Sequence, residues 1–473
     1  MVTDLDRTQV LVVGAGPAGL VAGITLARHG VRVVVAEKRS EISALPRALV
    51  ISTRSMEILR AWGLEDAVRA GAADVEPCGW VADTFVSADG AEIPLGYPKT
   101  TDTEVSPTRP AWAPQDHLEP ILLARLRGHP SARIRFGCEL IDLEQHVDGV
   151  RARLRVQSTG ATTQVHALFV IGADGARSTV RTLLGIGMQG QDQLAEYHSV
   201  QFRAPLHTIR PDRRYGLTVI THPDAAGVLA PQGPGDRWHY AREWRPGQPR
   251  LLDLPHPRLA TLIATATGVP DLRPAIVRVS GFRFAAQIAD RYRERRGFLV
   301  GDAAHRMTPR GGTGMNTAIH DAYDLAWKLG WLLRGWAEPD LLDSYERERR
   351  PVGLHNVQRS ADPAGARQTA GQALPWDLGE RLPHHWLPNR NRRLSTLDLI
   401  GDGLTLLAGP GDDRWLNTAS ELTTRAPVTN HVLDAATARL LGIPRGGAAL
   451  YRPDGRRLRH RLVLVPHEPA SPP

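Results

Sequence analysis

Six residues near the amino terminus, Gly14-Ala15-Gly16-Pro17-Ala18-Gly19, constrain this chain more than any other segment. They follow a short apolar run, Val10 to Val13, and open an apolar helical stretch that ends near Gly30. A second run rich in valine, Val31 to Ala36, comes next and stops at Glu37. Strand, glycine turn, helix and strand in that order make a βαβ unit and predict a parallel sheet. In such a unit the first glycine permits the tight turn and the second lets a pyrophosphate approach the backbone. The third allows close helix–strand packing. The helix start, with Pro17 in its first turn and Ala18 after it, offers unpaired N–H groups beyond the proline and positive potential to a phosphate. An acid closing the second strand, here Glu37 with Lys38 beside it, suits a ribose hydroxyl. A glycine turn without a ligand is the plainer reading, and the complete set of strand, helix, strand and acid speaks against it.

Two further motifs extend the site. Residues 297–301 read as a strand ending at Asp302, where the carboxylate is placed to accept from a ribityl hydroxyl. A glycine-rich loop with Pro309, Gly311 and Gly312 follows. The helix behind it repeats apolar residues at Met315, Ile319, Ala322, Ala326, Leu329 and Leu333. Its start, Gly314 to Asn316, aims backbone N–H groups into the loop. They would stabilise the negative charge that a reduced isoalloxazine carries at N1 and O2. The other motif, Gly172-Ala173-Asp174-Gly175-Ala176-Arg177-Ser178, is by itself an ordinary strand-to-helix turn.

A chain of 473 residues exceeds what one core organises, so two or three domains are expected. With 42% hydrophobic and 23% charged residues, disordered and fibrous classes are excluded. The net charge of +8 does not predict a nucleic-acid partner. Only Lys38, Lys99 and Lys328 are lysines among 58 basic residues, and the arginines are scattered, as in a GC-rich bacterial genome. Cys78 and Cys138 form no ligand-spaced set, so neither a disulfide framework nor a metal site is expected and a cytoplasmic setting fits. Leu11 to Ala27 is uncharged but broken by glycines and preceded by Asp4 and Asp6, unlike a signal peptide, and no membrane span is expected. Residues 181–280 alternate in short runs and read as a mostly antiparallel sheet. Residues 360–393 read as a linker, and 394–473 as a final segment with a Pro453-Asp454-Gly455 hairpin turn.

Taken together, GAGPAG, GADGARSTVR and GDAAHRMTPRGGTGMNTAIHDAYDLAWKL resemble the group A FAD-dependent aromatic hydroxylases of the para-hydroxybenzoate hydroxylase type. Pro46-Arg47-Ala48, Arg54-Ser55-Met56-Glu57 and Pro114-Gln115-Asp116-His117-Leu118-Glu119 add to the match. Ser395 to Leu399 and the PDG turn are similar to the longer branch that includes phenol hydroxylase and bacterial aromatic-polyketide hydroxylases. That resemblance implies an α/β fold. A Rossmann-like, glutathione-reductase-type FAD domain would span 1–75, 100–180 and 281–385. A mostly antiparallel substrate domain would take 76–99 and 181–280, and a thioredoxin-like domain 394–473. It implies one FAD, NADPH or NADH as co-substrate, and a flavin C4a-hydroperoxide that hydroxylates a phenolic, and in this branch a polyketide, ring with O2.

By position, the resemblance carries the cofactor to Gly14, Gly16, Pro17, Ala18, Gly19, Glu37 and Lys38. Arg47 and Gln115 would serve the phosphate–ribityl region, and Asp302 the ribityl chain. Gly312, Gly314, Met315 and Asn316 would meet the flavin edge through their backbone. Asp174 would belong to a motif shared by FAD and nicotinamide, and Pro309 would shape the flavin front. Expected partners are a small aromatic substrate and O2, with neither nucleic acid nor membrane; a homodimer stays open. Thr313 stands where the family usually has Gln, and 394–473 contains no cysteine, which excludes a redox role there.

Plainer readings remain for several residues. Arg47 and Arg54 suit a solvated surface, His305 a loop bond to backbone, and Trp80, Trp112, Trp238, Tyr240 and Trp244 either a pocket wall or core. No paired carboxylates or nucleophile triad stand out, and no catalytic base is assignable. The flavin carries the hard chemistry in such enzymes. Baeyer–Villiger oxidation, epoxidation or drug inactivation on the same fold is the alternative activity. A flavin-free binding protein is the alternative class, opposed by the intact Gly301-Asp302 motif.

Overall fold

The run before the glycine turn forms β1 (Val10–Val13), with all four residues buried, as a strand covered on both faces requires. β2 (Val33–Glu37) pairs with it in parallel, Val10 opposite Val33 and Val13 opposite Ala36. On its other edge β1 pairs in parallel with Phe169–Gly172, which pairs in turn with Gly297–Leu299. Ala132–Phe136 completes the sheet beside β2, and a short antiparallel strand, Arg293–Glu294, forms the far edge. The three sequence motifs therefore end side by side at the carboxyl edge of one sheet, where open α/β sheets bind ligands. The computed structural model describes residues 7–99, 105–365, 367–388, 393–411 and 425–458.

Helix α1 (Pro17–Arg28) is buried along ten of its twelve residues. α2 (Thr53–Ala61) starts at Ser52, whose hydroxyl accepts the Ser55 N–H, and is followed by Gly63 in the left-handed region at φ 72°. α3 (Gln115–Arg127) begins after Pro114, and α4 (Thr179–Leu183) is capped by Ser178. These and α1 share one core with the parallel sheet.

An eight-stranded sheet lies apart from it, ordered His305–Arg306, Ala275–Ala289, Met188–Arg203, Arg237–Trp244, Gly227–Pro231, Tyr215–Ile220, Glu76–Ala82, Ala91–Pro94. It is antiparallel except where Tyr215–Ile220 meets Glu76–Ala82. α5 (His256–Thr267) covers one face, packing Leu259, Ile263 and Ala266 with Phe202, Leu229, Trp238 and Tyr240. No helix is expected there from the sequence, where 181–280 reads as a mostly antiparallel sheet. Pro257 occupies the first turn, where no N–H is needed.

The periodic helix appears as α6 (Gly314–Leu333), and α7 (Asp343–Ala361) follows. The stretch 360–393, expected as a linker, contains α8 (Ala370–Leu378), which carries Pro375 inside it and shows no clear periodicity. Tertiary contact supports it: Asp377 accepts the Arg54 N–H at 3.1 Å.

The described residues divide into two compact units, those within 7–99, 108–333 and 339–378 in the larger and those within 105–107, 334–338 and 379–458 in the smaller. The smaller unit is α/β. Its central strand Leu404–Ala408 pairs in parallel with Val428–Val432 and antiparallel with Ala448–Tyr451. Leu407, Leu433, Leu441, Ile443 and Tyr451 form its core. The PDG turn closes there with Gly455 at φ 81°, and the tail beyond residue 458 lies outside the described residues. No helix among the described residues is long and apolar enough to cross a membrane.

Candidate functional site

The glycine turn divides into two glycines that the protein fills against and one that it leaves open. A Cβ on Gly14 (φ 105°) would meet the Ala173 carbonyl oxygen at 2.3 Å, and one on Gly19 would meet the Gly14 carbonyl oxygen at 1.9 Å. Both glycines are needed for strand and helix to close up. A Cβ on Gly16 would meet nothing within 4 Å. Gly16 caps α1 without any side-chain hydrogen bond, and Pro17 occupies the first turn, followed by buried Ala18. The first N–H groups of α1 thus have no intrahelical partner and open room beside them, which fits a phosphate. Glu37, buried, accepts the N–H of Ala15 at 2.8 Å and of Arg39 at 2.9 Å. Lys38 next to it is exposed.

At the neighbouring strand end stands Asp302. Solvent reaches the side chain, while surrounding protein is dense enough that desolvation raises its carboxyl pKa. His305, Arg306 and Arg47 oppose that rise. Arg47 is exposed, and its charge also acts on Glu119. Glu119 is buried and accepts from Gln115 Nε2 at 2.6 Å and from the Ser43 N–H at 3.1 Å. Burial raises this carboxyl too, against Gln115, Ser43, Arg39 and Arg47. Arg47, Gln115 and Asp302, far apart in the chain, are thereby gathered, together with Glu119 as an additional member.

Asp174 sits differently. Its carboxylate accepts from the Ser178 hydroxyl and, at 3.0 Å, from the Val180 N–H, so it holds the turn into α4. Burial raises its pKa. The turn it stabilises is the one that Gly14 packs against.

At the start of α6, the Thr317 N–H bonds the Thr313 carbonyl at 2.8 Å, leaving the N–H groups of Gly314, Met315 and Asn316 ahead of the helical ladder. A Cβ on Gly314 would meet nothing within 4 Å, whereas one on Gly312 (φ 63°) would meet Val50 at 2.6 Å. The Asn316 side chain is fully engaged: Oδ1 accepts from Ser52 N–H (2.8 Å) and Ser55 Oγ (2.9 Å). Nδ2 donates to the carbonyls of Val50 (3.1 Å) and Gly312 (2.9 Å). It staples the loop to residues 50–55, so only its backbone is left for a ligand. Met315 packs half-buried against the core, and exposed Pro309 lends its carbonyl to the Gly312 N–H at 3.1 Å.

Residues 7–360 match the family described as FAD binding domain, and 376–456 match the one described as aromatic-ring hydroxylase, C-terminal. The chain belongs to the FAD-dependent aromatic-ring hydroxylases. It is 36% identical to the aklavinone 12-hydroxylase RdmE of Streptomyces purpurascens, covering 95% of this chain and 94% of that one. To the tetracenomycin B2 monooxygenase-dioxygenase of Streptomyces olivaceus it is 35% identical, covering 95% of each. The solved ternary complex of aklavinone-11 hydroxylase with FAD and aklavinone matches with a TM-score of 0.84 at 33% identity, over 95% of this chain and 94% of that one. This hydroxylase is accordingly a flavoprotein monooxygenase that uses FAD, and the open cradle at Gly16 fits that cofactor's pyrophosphate.

Sequence reasoning missed the group that fixes the Gly301-Asp302 strand end in the hydroxylase. Fully buried Asp321 on α6 pairs with His305 Nε2 at 2.6 Å and Arg349 Nε at 2.8 Å, and lies 3.4 Å from the Gly301 N–H. Burial acts to raise its pKa, but Arg349 and His305 outweigh it and hold the carboxyl below its ordinary value. The available signal was an acid beside Ala322 on the apolar stripe of α6. Of the aromatic candidates, Trp238 and Tyr240 are core beneath α5, and Trp112 is buried with Val50, Ala73 and Leu95.

Proposed function

We propose that the protein hydroxylates an electron-rich, phenolic ring of an aromatic polyketide, with NADPH or NADH and O2 as co-substrates. One observation carries the reading. Arg310, next to Pro309 in the glycine-rich loop, lies 5.4 Å over the Phe284 ring, and Phe284 stacks on Tyr197 at 4.1 Å and 6°. The loop at the expected flavin front therefore abuts an aromatic end of the eight-stranded sheet. Strand register supports the rest of that surface. Thr218, Leu229, Tyr240, Val200 and Val279 form one row facing the α5 core. The next row, Val219, Val228, Ala241, Ser199 and Ser280, then faces the other way, with Tyr197, Gln201 and His239 on that same face. An apolar floor with a few polar groups suits a flat hydroxylated polycycle. The relatives named for tetracenomycin and aklavinone point to the same class of substrate.

In this reading residues 1–75, 100–180 and 281–385 hold FAD, and 76–99 with 181–280 hold the substrate. FAD supplies, when bound, the reductive activation of O2 and the transfer of one oxygen atom. Gly16 and the start of α1 receive the pyrophosphate, Glu37 a ribose, and Arg47, Gln115 and Asp302 the segment between phosphate and flavin. The N–H groups at Gly314 to Asn316 stabilise negative charge at the flavin edge, fixed in place by the Asn316 staple. Tyr197, Phe282 and Phe284 position the ring and exclude water. Asp174 keeps the adjoining turn in shape for both dinucleotides. Use of NAD(P)H places the reaction in the cytoplasm.

The test is turnover of a panel of hydroxylated anthraquinones and simple phenols under labelled dioxygen, with NADPH and NADH in parallel. One label atom in a new ring hydroxyl is the expected product. A labelled lactone or epoxide, or peroxide alone with every substrate, would sink the reading.

A further inference from the structure

Behind the loop 311–313 lies a small cavity of mixed character, walled on one side by Leu95, Ala373 and Trp376 and adjoining the Asn316 staple. Tyr97, Gly311, Asn356, Arg359 and Asp377 are among the residues of its wall. Arg359 is 8% exposed and donates through Nε to the Gly365 carbonyl at 2.8 Å, but one terminal amino group of the guanidinium has no hydrogen-bond partner. Among the described residues Arg359 makes no ion pair. Asn356, 5% exposed, donates through Nδ2 to Thr317 Oγ1 at 3.0 Å while its Oδ1 is left without a partner.

Two left-handed glycines make the room. A Cβ on Gly96 (φ 85°) would come within 3.1 Å of the free Arg359 amino group, and one on Gly311 (φ 82°) within 3.0 Å. A guanidinium cannot shed its proton to relieve burial, and a buried charge without a counter-ion is strongly destabilising. Asp377 acts on that charge through space, favouring the charged guanidinium after Tyr97, but makes no ion pair with it. It lies outside ion-pair distance, one of its oxygens is taken by the Arg54 N–H, and burial raises its carboxyl pKa. A fixed donor, a fixed acceptor and a space between helices and loop thus await a ligand with complementary groups.

We propose that this cavity is a subsite for an anionic oxygen group of the aromatic substrate, a carboxylate or acidic phenolate, bound by Arg359, with Asn356 Oδ1 accepting from a hydroxyl beside it. The proposal rests on the aromatic-hydroxylase reading and specifies which substituent that substrate carries. It also assigns Arg359 as a determinant of substrate choice.

The experiment titrates the FAD-loaded protein with rhein, a dihydroxyanthraquinone carboxylic acid, and with its methyl ester, following the perturbation of the flavin spectrum. The acid should bind at least about ten-fold more tightly than the ester, as loss of a charge-assisted hydrogen bond implies. Arg359→Gln should weaken the acid alone and bring the ratio below about three-fold, while Arg359→Lys, which keeps the charge, should retain part of it. Equal affinity of acid and ester in the unmodified protein, or an unchanged ratio in Arg359→Gln, overturns the subsite and leaves the hydroxylase reading standing. If Arg359→Gln instead purifies without FAD and does not take it up, the cavity belongs to the cofactor and the subsite is overturned. If neither ligand perturbs the flavin, the aromatic-substrate reading falls and this proposal with it.

Discussion

The Glu37 carboxylate accepts the Ala15 N–H at 2.8 Å, so the acid that ends β2 also fixes the glycine turn that ends β1. Its second oxygen takes the Arg39 N–H at 2.9 Å. The acid is thus oriented by two backbone N–H groups, and in the proposed role towards a ribose such a preorganised acceptor would lose little entropy on binding.

Replacing it separates charge from shape. Glu37→Ala removes both backbone bonds and the ribose acceptor, and FAD affinity should fall by about ten- to a hundred-fold, each lost bond being worth ~1 kcal/mol or more. Glu37→Gln keeps one acceptor and should lose less. Flavin fluorescence titration of the apoprotein reads both, and equal affinity in Glu37→Ala and the unmodified protein would remove the ribose role.

The glycines of the turn should behave differently from one another. Gly16→Val adds a side chain into space that no protein atom fills, so the protein should purify without flavin and melt at the temperature of the FAD-stripped parent. Gly14→Val and Gly19→Val drive a Cβ into backbone and should destabilise the fold itself. Thermal unfolding and the flavin-to-protein absorbance ratio, measured together, distinguish the two effects. A yellow Gly16→Val protein would falsify the pyrophosphate assignment.

Asp321 sits between two buried partners, the His305 imidazole and the Arg349 guanidinium. Asp321→Asn leaves the buried Arg349 guanidinium uncompensated and should cost about 3–5 kcal/mol of stability. The Gly301-Asp302 strand end loosens with it, so FAD affinity should drop although Asp321 touches no cofactor position. Denaturant unfolding of the apoprotein checks the first effect. A normal unfolding midpoint would show that the triad carries no load.

Two imidazoles set the acid limit of the fold. Burial pushes His239 down to about 4, and burial, followed by Arg349 and Arg54, pushes His320 well below its ordinary 6.5. Once pH drops below 6.5 the unfolded chain binds protons at these positions and the folded chain does not. Stability should therefore fall as pH drops through 6.5 and continue falling towards 4, by up to about 1.4 kcal/mol per pH unit for each imidazole. His239→Gln should flatten that slope in unfolding curves taken across the interval. An identical slope in the variant contradicts a depressed His239 pKa in the folded protein.

How much of the site could be read in advance depended on how local each part is. β1 runs from Val10 to Val13 as its apolar residues imply, and α6 follows the spacing of Met315, Ile319 and Ala322. Those patterns are complete within one or two turns of chain. α5 and α8 were not legible, because Pro257 and Pro375 mask them and their stability comes from Leu229, Trp238 or Arg54 elsewhere in the fold. Asn316 was legible as a residue of the loop. Its side chain holding the segment Val50 to Ser55 was not.

The sequence by itself determined the dinucleotide-binding end of this protein, because turn, helix dipole and terminal acid are set by consecutive residues whose backbone conformations follow from glycine, proline and strand ends. Only the tertiary structure decided which distant residues come together. Strand register settled which face Tyr197, Ser199 and His239 share, and helix packing left Arg359 and Asn356 buried with bonds unmade. Pairing across distant strands and helices is governed by which surfaces bury together, and no local pattern in the chain encodes that choice.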